Sequence, residues 1–201
     1  IYITGGLAIL LILVIGGFFV WLSHFDRLRI DSISVSGQQV VKAEEVKQIA
    51  LDTLKGNYLW MFAKENTLIY PENAITNNLF AAYPRIKDIV IERDGLNALV
   101  IGIEEYEPHA LWCGNVFNGT RDPTEQCYFT DTEGYIFALA PDFSGSAYFK
   151  YYGILSEDLN PIRQTRFDGF ERTRLEDFLR LLETVGFDPH ILSWTQDGDY
   201  S

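Results

Sequence analysis

The first 23 residues, Ile1 to Ser23, carry no charged side chain, and the first ionisable groups are His24 and Asp26. Within them ITGGLAILLILVIGGFFVWL is an apolar run rich in Ile, Leu, Val and Phe. At about 1.5 Å per residue such a helix reaches about 34 Å, enough for a hydrocarbon core of roughly 30 Å. Trp21 near its end is an aromatic that favours the membrane interface. The pattern predicts a transmembrane anchor over residues 1–24. A secretory signal has an apolar stretch of only about 7–15 residues followed by small residues, and SHFDRL offers no such cleavage site. A buried core helix of this length would carry some polar edge.

Past the anchor the period changes. Ile33 and Val35 alternate with Ser32, Ser34 and Ser36, as in a half-buried strand, and Gly37 closes it. From Ala43 to Leu54, Val46, Ile49, Ala50, Thr53 and Leu54 fall on one helical face. Glu44 and Glu45 sit in the first turn, where the helix dipole favours anions. Lys55-Gly56-Asn57 ends that helix. A second helix begins at Pro71, runs through Ile75, Leu79 and Ala82, and stops at Pro84. Ile89 and Ile91 alternate in one strand and Leu99, Ile101 and Ile103 in the next, with Asp94-Gly95-Leu96-Asn97 as the turn. The order β-α-α-β-β predicts a two-layer α+β unit with its helices on one sheet face. Ile33, Val35, Val46, Ile49, Ile89, Ile91, Leu99 and Ile101 are its expected core.

After Glu107-Pro108 the pattern loosens into short aromatic strands at Tyr128 to Thr130, Tyr135 to Leu139 and Tyr148 to Tyr152. Asp131-Thr132-Glu133-Gly134 separates the first two. Arg172 to Val185 reads as a helix with Leu175, Phe178, Leu179, Leu182 and Val185 on its apolar face and Gly186 as its stop. Ile191 to Trp194 begins another strand. The fold class expected is α+β: the anchor (1–24), the β-α-α-β-β domain (28–106) and a mainly antiparallel β domain with one helix (107–201). The opening isoleucine, and the stop just after one strand, lead us to expect missing residues on both sides.

Composition narrows the function. The chain has 28 acidic against 16 basic residues, a net charge of −12. Phosphate binding needs a basic face, and none is visible, so nucleic acid is not an expected partner. A hydrophobic share of 47% and an aromatic share of 14% exclude a disordered acidic tail. Arg27 and Arg29, close behind the anchor, favour a cytoplasmic position for the region beyond it; the acidic remainder and the two cysteines favour the opposite side.

The strings RIDSISVSGQQVVKAEEVKQIA, YPRIKDIVIERDGLNALVIGIEEYEPHALW and CYFTDTEGYIFALAP resemble the extracytoplasmic region of the FtsQ/DivIB cell-division family. There a strand "I-x-V-x-G" and a helix "V-x-x-E-E-V" open a POTRA domain, matched by Ile33, Val35, Gly37, Val41, Glu44, Glu45 and Val46. A segment "P-x-I-x-x-V-x-I-x-R" comes next, matched by Pro84, Ile86, Ile89, Ile91 and Arg93. The closing "E-x-x-P-x-A-x-W" is matched by Glu105, Pro108, Ala110 and Trp112. The resemblance covers about residues 29–141. The family's turn carries a proline after the arginine, where this chain has Asp94-Gly95.

The resemblance implies a non-catalytic, single-pass protein of the bacterial inner membrane with extracytoplasmic domains. It implies FtsB-like and FtsL-like division proteins as partners and a scaffolding role in septal wall assembly. No cofactor, metal or small-molecule substrate is expected. The alternatives are a membrane-anchored cell-wall enzyme and a POTRA subunit for protein transport. Transport would call for tandem POTRA units ahead of a strand-rich barrel, and an enzyme for convergent ionisable groups.

Candidate chemistry is sparse. Cys113 and Cys127 bracket the loop from Gly114 to Gln126, so a disulfide is the expectation in an oxidising compartment, with two buried thiols as the alternative. Neither cysteine has a C-x-x-C partner, and His109 is one lone zinc ligand at most. His24, His109 and His190 belong to no catalytic motif. Glu104, Glu105 and Glu107 form an acidic run whose alternation puts Glu105 and Glu107 on one face; a solvated edge is the expectation over paired catalytic carboxylates. Asn118-Gly119-Thr120 matches a glycosylation sequon, accidental in a bacterial protein. Tyr58-Leu59-Trp60-Met61-Phe62 is expected to fill core.

Overall fold

The computed structural model describes the backbone of residues 2–114, 126–142, 147–153, 160–165, 169–187 and 189–193, with their side chains except those of 2–5, 8, 169–173 and 176. The sequon and Trp194 lie outside these residues. The chain separates into two compact units, Ile1–Glu105 and Tyr106–Ser201.

The first unit starts with α1, Tyr2–Ser23. Apart from the half-buried Val20, the large apolar side chains from Leu7 to Trp21 on this helix are 47–68% exposed. Among the described residues no helix is long and apolar enough to cross a membrane.

Beyond a single 3₁₀ turn at Asp26–Leu28, the unit runs through β1 (Ser32–Ser36), α2 (Ala43–Leu54), β2 (Asn57–Tyr58), β3 (Phe62–Ala63), α3 (Glu72–Ala82), β4 (Ile86–Asp94) and β5 (Ala98–Glu105). β5 is central in a sheet of order β1-β5-β4. β1 runs parallel to β5, with Ile33 opposite Leu99 and Val35 opposite Ile101. β4 runs antiparallel, with Ile91 opposite Ile101 and Ile89 opposite Ile103. The parallel pair requires a long crossover, and α2 with α3 supplies it.

The period along α2 explains its docking. Val46, Ala50 and Leu54 recur every four residues and are buried, meeting Ile75 and Leu79 of α3 above Leu99 and Ile101. Of the expected core, Val46, Ile91, Leu99 and Ile101 are buried, while Ile33, Val35, Ile49 and Ile89 pack partly buried against the same cluster. Gly37 is the position that only glycine fits: its φ is +81°, and a Cβ would collide with the Ile103 carbonyl oxygen. β2 and β3 form a small hairpin that the hydrophobic pattern does not reveal.

The second unit contains β6 (Ala110–Trp112), β7 (Tyr128–Thr130), β8 (Ile136–Leu139), β9 (Phe149–Tyr152), α4 (Gly169–Thr184) and β10 (Ile191–Ser193), in one sheet of order β10-β9-β6-β7-β8. The expected mainly antiparallel domain is corrected here to a mixed sheet. β6/β7 and β7/β8 are antiparallel, but β6/β9 and β9/β10 are parallel. For β9 and β10 the reason is α4, which joins them as a crossover and brings the chain back in the same direction.

Alternation along β6 splits the second unit's interior. Leu111 faces Phe129, Phe137 and Tyr152 on one side. Trp112 faces Ile136, Leu175 and Leu192 on the other, and its indole N–H donates to the Gly153 carbonyl at 3.0 Å. The apolar face read for α4 is covered only in part: Leu175 is buried and Leu179 packs beside it, whereas Phe178 and Val185 are exposed. The β7–β8 turn is set by Asp131, whose Oδ1 accepts from the backbone N–H groups of Glu133 (2.9 Å) and Tyr135 (2.8 Å).

Candidate functional site

The acidic run does not converge. Glu104 points outward and pairs with Lys87 at 2.5 Å, and Glu107 is exposed. Glu105 corrects the expectation of a solvated edge, since it is 6% exposed at the end of β5. Its Oε1 accepts from the backbone N–H groups of Gln39 (2.7 Å), Val40 (2.9 Å) and Val41 (3.0 Å). Arg85 Nε lies 4.0 Å from Oε2. Three consecutive donors form an anion-holding turn just ahead of α2, and the carboxylate fastens that turn to the central strand. With every strong contact committed to main chain, this carboxylate is placed for structure rather than for acid–base chemistry.

A second polar junction holds the end of α1. Asn66 is 2% exposed, and its Nδ2 donates to the carbonyls of Leu22 (3.3 Å) and Ser23 (3.0 Å). The Leu22 carbonyl also accepts from the Phe25 N–H at 3.2 Å, while the Ser23 carbonyl ends the helix where no intrahelical donor remains. Asn66 Oδ1 in turn accepts from the Leu68 N–H at 2.9 Å. The neighbouring Thr67 donates from Oγ1 to the Leu96 carbonyl at 2.6 Å and from its N–H to the Leu28 carbonyl at 2.8 Å. Residues 65–67 thereby stitch α1, the segment behind it and the β4–β5 turn together. The sequence reading missed Asn66 and Thr67, and nothing local marks them, because their partners lie 29–44 positions away.

The histidines are structural or exposed. His24 Nδ1 lies 3.0 Å from both the Val20 carbonyl and Ser23 Oγ at the end of α1. His109 and His190 are exposed, and their backbones join the sheet through the Thr130 carbonyl and the Lys150 N–H. Cys113 and Cys127 are joined in the structure, with S–S 2.05 Å and Cα–Cα 4.1 Å. Among the described residues no group of three His, Cys, Asp or Glu is gathered to hold a metal ion.

The aromatic run at Tyr58 to Phe62 also departs from expectation. Tyr58 and Phe62 are half-buried as partners across β2 and β3, but Leu59 and Trp60 at the tip are 74% and 94% exposed. The reading as core filler is therefore corrected: a tight turn aims the largest side chains outward. Between α2 and α3 lies a shallow groove of about 550 Å³ lined by Ile49, Asp52, Thr53, Asn78, Ala81 and Ala82.

The two helices are also joined at one end by Tyr83, whose hydroxyl donates to Glu45 Oε2 at 2.7 Å. Burial first, then this bond to a carboxylate, pushes the Tyr83 phenol up from 10.0 to about 12. The bond from Tyr83 first, then the one from Lys42, holds Glu45 below the usual carboxylate value.

Substitution at Glu105 and at Tyr83 tests these contacts. Glu105→Ala orphans the three donors of the 39–41 turn and lowers unfolding free energy by about 3 kcal/mol, while Glu105→Gln, which keeps one acceptor, loses roughly half as much. Chemical denaturation reads both, and equal stability for Glu105→Ala and the unsubstituted chain would show the turn to be held otherwise. Tyr83 gives a pH dependence. The folded state holds its phenolic proton more tightly than the unfolded chain, so this contribution is complete below pH 10.0 and is lost as pH climbs to about 12. Tyr83→Phe should flatten that fall in denaturation measured across the same range; an unaltered slope would remove Tyr83 as its source.

Residues 28–106 match the family model of the POTRA domain, FtsQ-type. No curated protein matches the chain. The matched span begins at the junction behind α1, contains the whole β1-β5-β4 sheet with α2 and α3, and ends just past Glu105. Residues 28–106 are therefore an FtsQ-type POTRA domain.

Proposed function

We propose that this chain is a bitopic, non-catalytic scaffold of the bacterial division machinery. On this reading residues 1–24 anchor it in the inner membrane, and 28–106 and 107–201 are extracytoplasmic domains that position the enzymes of septal wall synthesis. The observation that carries the reading is the FtsQ-type POTRA domain fastened, through Asn66, to an uncharged helix of 22 residues. At about 1.5 Å per residue that helix is about 33 Å long, comparable to a bilayer core.

Three further observations favour it. The outer edges of β1 and β4 have no strand partner among the described residues, which suits recognition by strand addition. The Cys113–Cys127 bond belongs to an oxidising compartment, outside the cytoplasm. Glu105 is committed to backbone donors and Glu104 to lysine, and Glu107 stands apart on the surface, which favours scaffolding over hydrolysis. FtsB-like and FtsL-like proteins are the partners proposed, and no cofactor is needed for the role.

The test is placement in a dividing cell. A fluorescent protein fused to the N-terminal side collects as a band at the division site, and protease added to intact spheroplasts removes the domains behind α1. Even fluorescence around the whole cell through division, or domains protected in intact spheroplasts, would overturn the reading.

A further inference from the structure

The β2–β3 hairpin has no part in the role just proposed, yet its composition is costly in water. Asn57 pairs with Ala63 and Tyr58 with Phe62, which leaves Leu59, Trp60 and Met61 to make the turn. Leu59 and Trp60 have φ of +48° and +63°, the left-handed region where side chains other than Gly, Asn and Asp are uncommon. A turn selected only to reverse the chain would carry Asn-Gly. Here the strained backbone holds a leucine 74%, a tryptophan 94% and a methionine 50% exposed. Strain of this kind persists where it serves a site.

The location of the hairpin indicates which surface it meets. β3 lies against α1 within the first unit. Three residues after β3, Asn66 bonds the Leu22 and Ser23 carbonyls, so the hairpin is held beside the last turn of α1. That turn carries Trp21, whose ring lies 5.6 Å from the ring of Phe25. Lys64 closes the hairpin with its ammonium 5.6 Å from the Tyr58 ring centroid. A protruding Leu-Trp-Met tip with a cation behind it, next to an apolar helix that ends in aromatics, has the layering of a membrane interface: apolar groups, then indole, then charge.

We infer that the β2–β3 hairpin is a second membrane contact, inserting Leu59, Trp60 and Met61 into the headgroup–acyl boundary of the leaflet where α1 ends. The inference rests on the anchoring by α1 proposed above. One helix alone leaves a domain able to rock about its point of attachment. A second contact beside it fixes the tilt of the POTRA sheet, and with it which sheet edge is presented to partners.

The whole chain, reconstituted in vesicles of phosphatidylethanolamine and phosphatidylglycerol, tests this by tryptophan quenching. Bromine placed on the lipid acyl chains near the headgroups quenches tryptophans at the boundary, and aqueous iodide quenches those in water. Trp21→Phe reports the anchor and Trp60→Phe the hairpin, and the exposed tip makes the latter safe for folding. Trp60→Phe should reduce bromine quenching by about half, since Trp21 and Trp60 are then the two tryptophans at the lipid boundary. If Trp21→Phe reduces bromine quenching while Trp60→Phe removes only iodide quenching, the anchor stands, the hairpin lies in water open to a protein partner, and the inference is overturned. If neither substitution changes bromine quenching, the anchor reading fails and takes the inference with it.

Discussion

An uncharged helix that leaves most of its large apolar side chains exposed loses free energy in water until something covers them, and this is the strongest single constraint on the first unit. Eleven large apolar residues from Leu7 to Trp21 stand at least 47% exposed on α1. Full burial of one such side chain is worth about 1.5–3 kcal/mol, so leaving this set in water forfeits on the order of 10 kcal/mol. That rivals the whole stability of an ordinary domain, roughly 5–15 kcal/mol. Neither polar junctions nor exposed ion pairs such as Lys42–Glu45, screened by solvent, operate on this scale. The proposed membrane anchoring satisfies the requirement with nothing added to the chain.

Two buried polar side chains fix the geometry of the first unit, one at the end of α1 and one ahead of α2. Asn66 takes up the Ser23 carbonyl that the end of α1 leaves open, and Glu105 gathers three amides ahead of α2 onto the central strand. Each satisfies main-chain groups that would otherwise be buried without partners, a loss of about 1–3 kcal/mol apiece. They specify geometry more than they add stability. The helix–helix layer of α2 and α3 and the β5-centred sheet carry the bulk of the apolar burial. The same division of labour recurs in the second unit, where Asp131 shapes a turn and the aromatic clusters on both sheet faces supply the cohesion.

What the sequence reveals is what periodicity encodes. The alternation of Ile33 and Val35, the four-residue spacing of Val46, Ala50 and Leu54, and the paired isoleucines of β4 and β5 each place an element, and together they give the β-α-α-β-β order. The bridge between Cys113 and Cys127 rests on no period; spacing can only suggest it. Glu105 is illegible because its burial depends on amides 64–66 residues away, so along the chain it reads as one more charge in a run. Asn66 is hidden for the same reason. The two-residue strands β2 and β3 are too short for any period, and the turn between them reverses the usual inference from aromatic to buried. The parallel pairing of β9 with β10 is decided by where α4 returns the chain, and that of β6 with β9 joins strands distant in sequence, so no local pattern records either. Fold order is therefore written in neighbours, and the polar junctions in distant partners.

The central claim is that α1 is buried in lipid, and extraction of membranes at alkaline pH measures this most directly. Carbonate at about pH 11 strips proteins held by charge or by surface contacts, and leaves a helix surrounded by hydrocarbon in the pelleted bilayer, where its apolar burial is indifferent to pH. The intact chain should remain in the pellet, while a chain with Ile12→Lys, Val14→Lys and Ile15→Lys should be released. Release of the intact chain into the supernatant would contradict the claim.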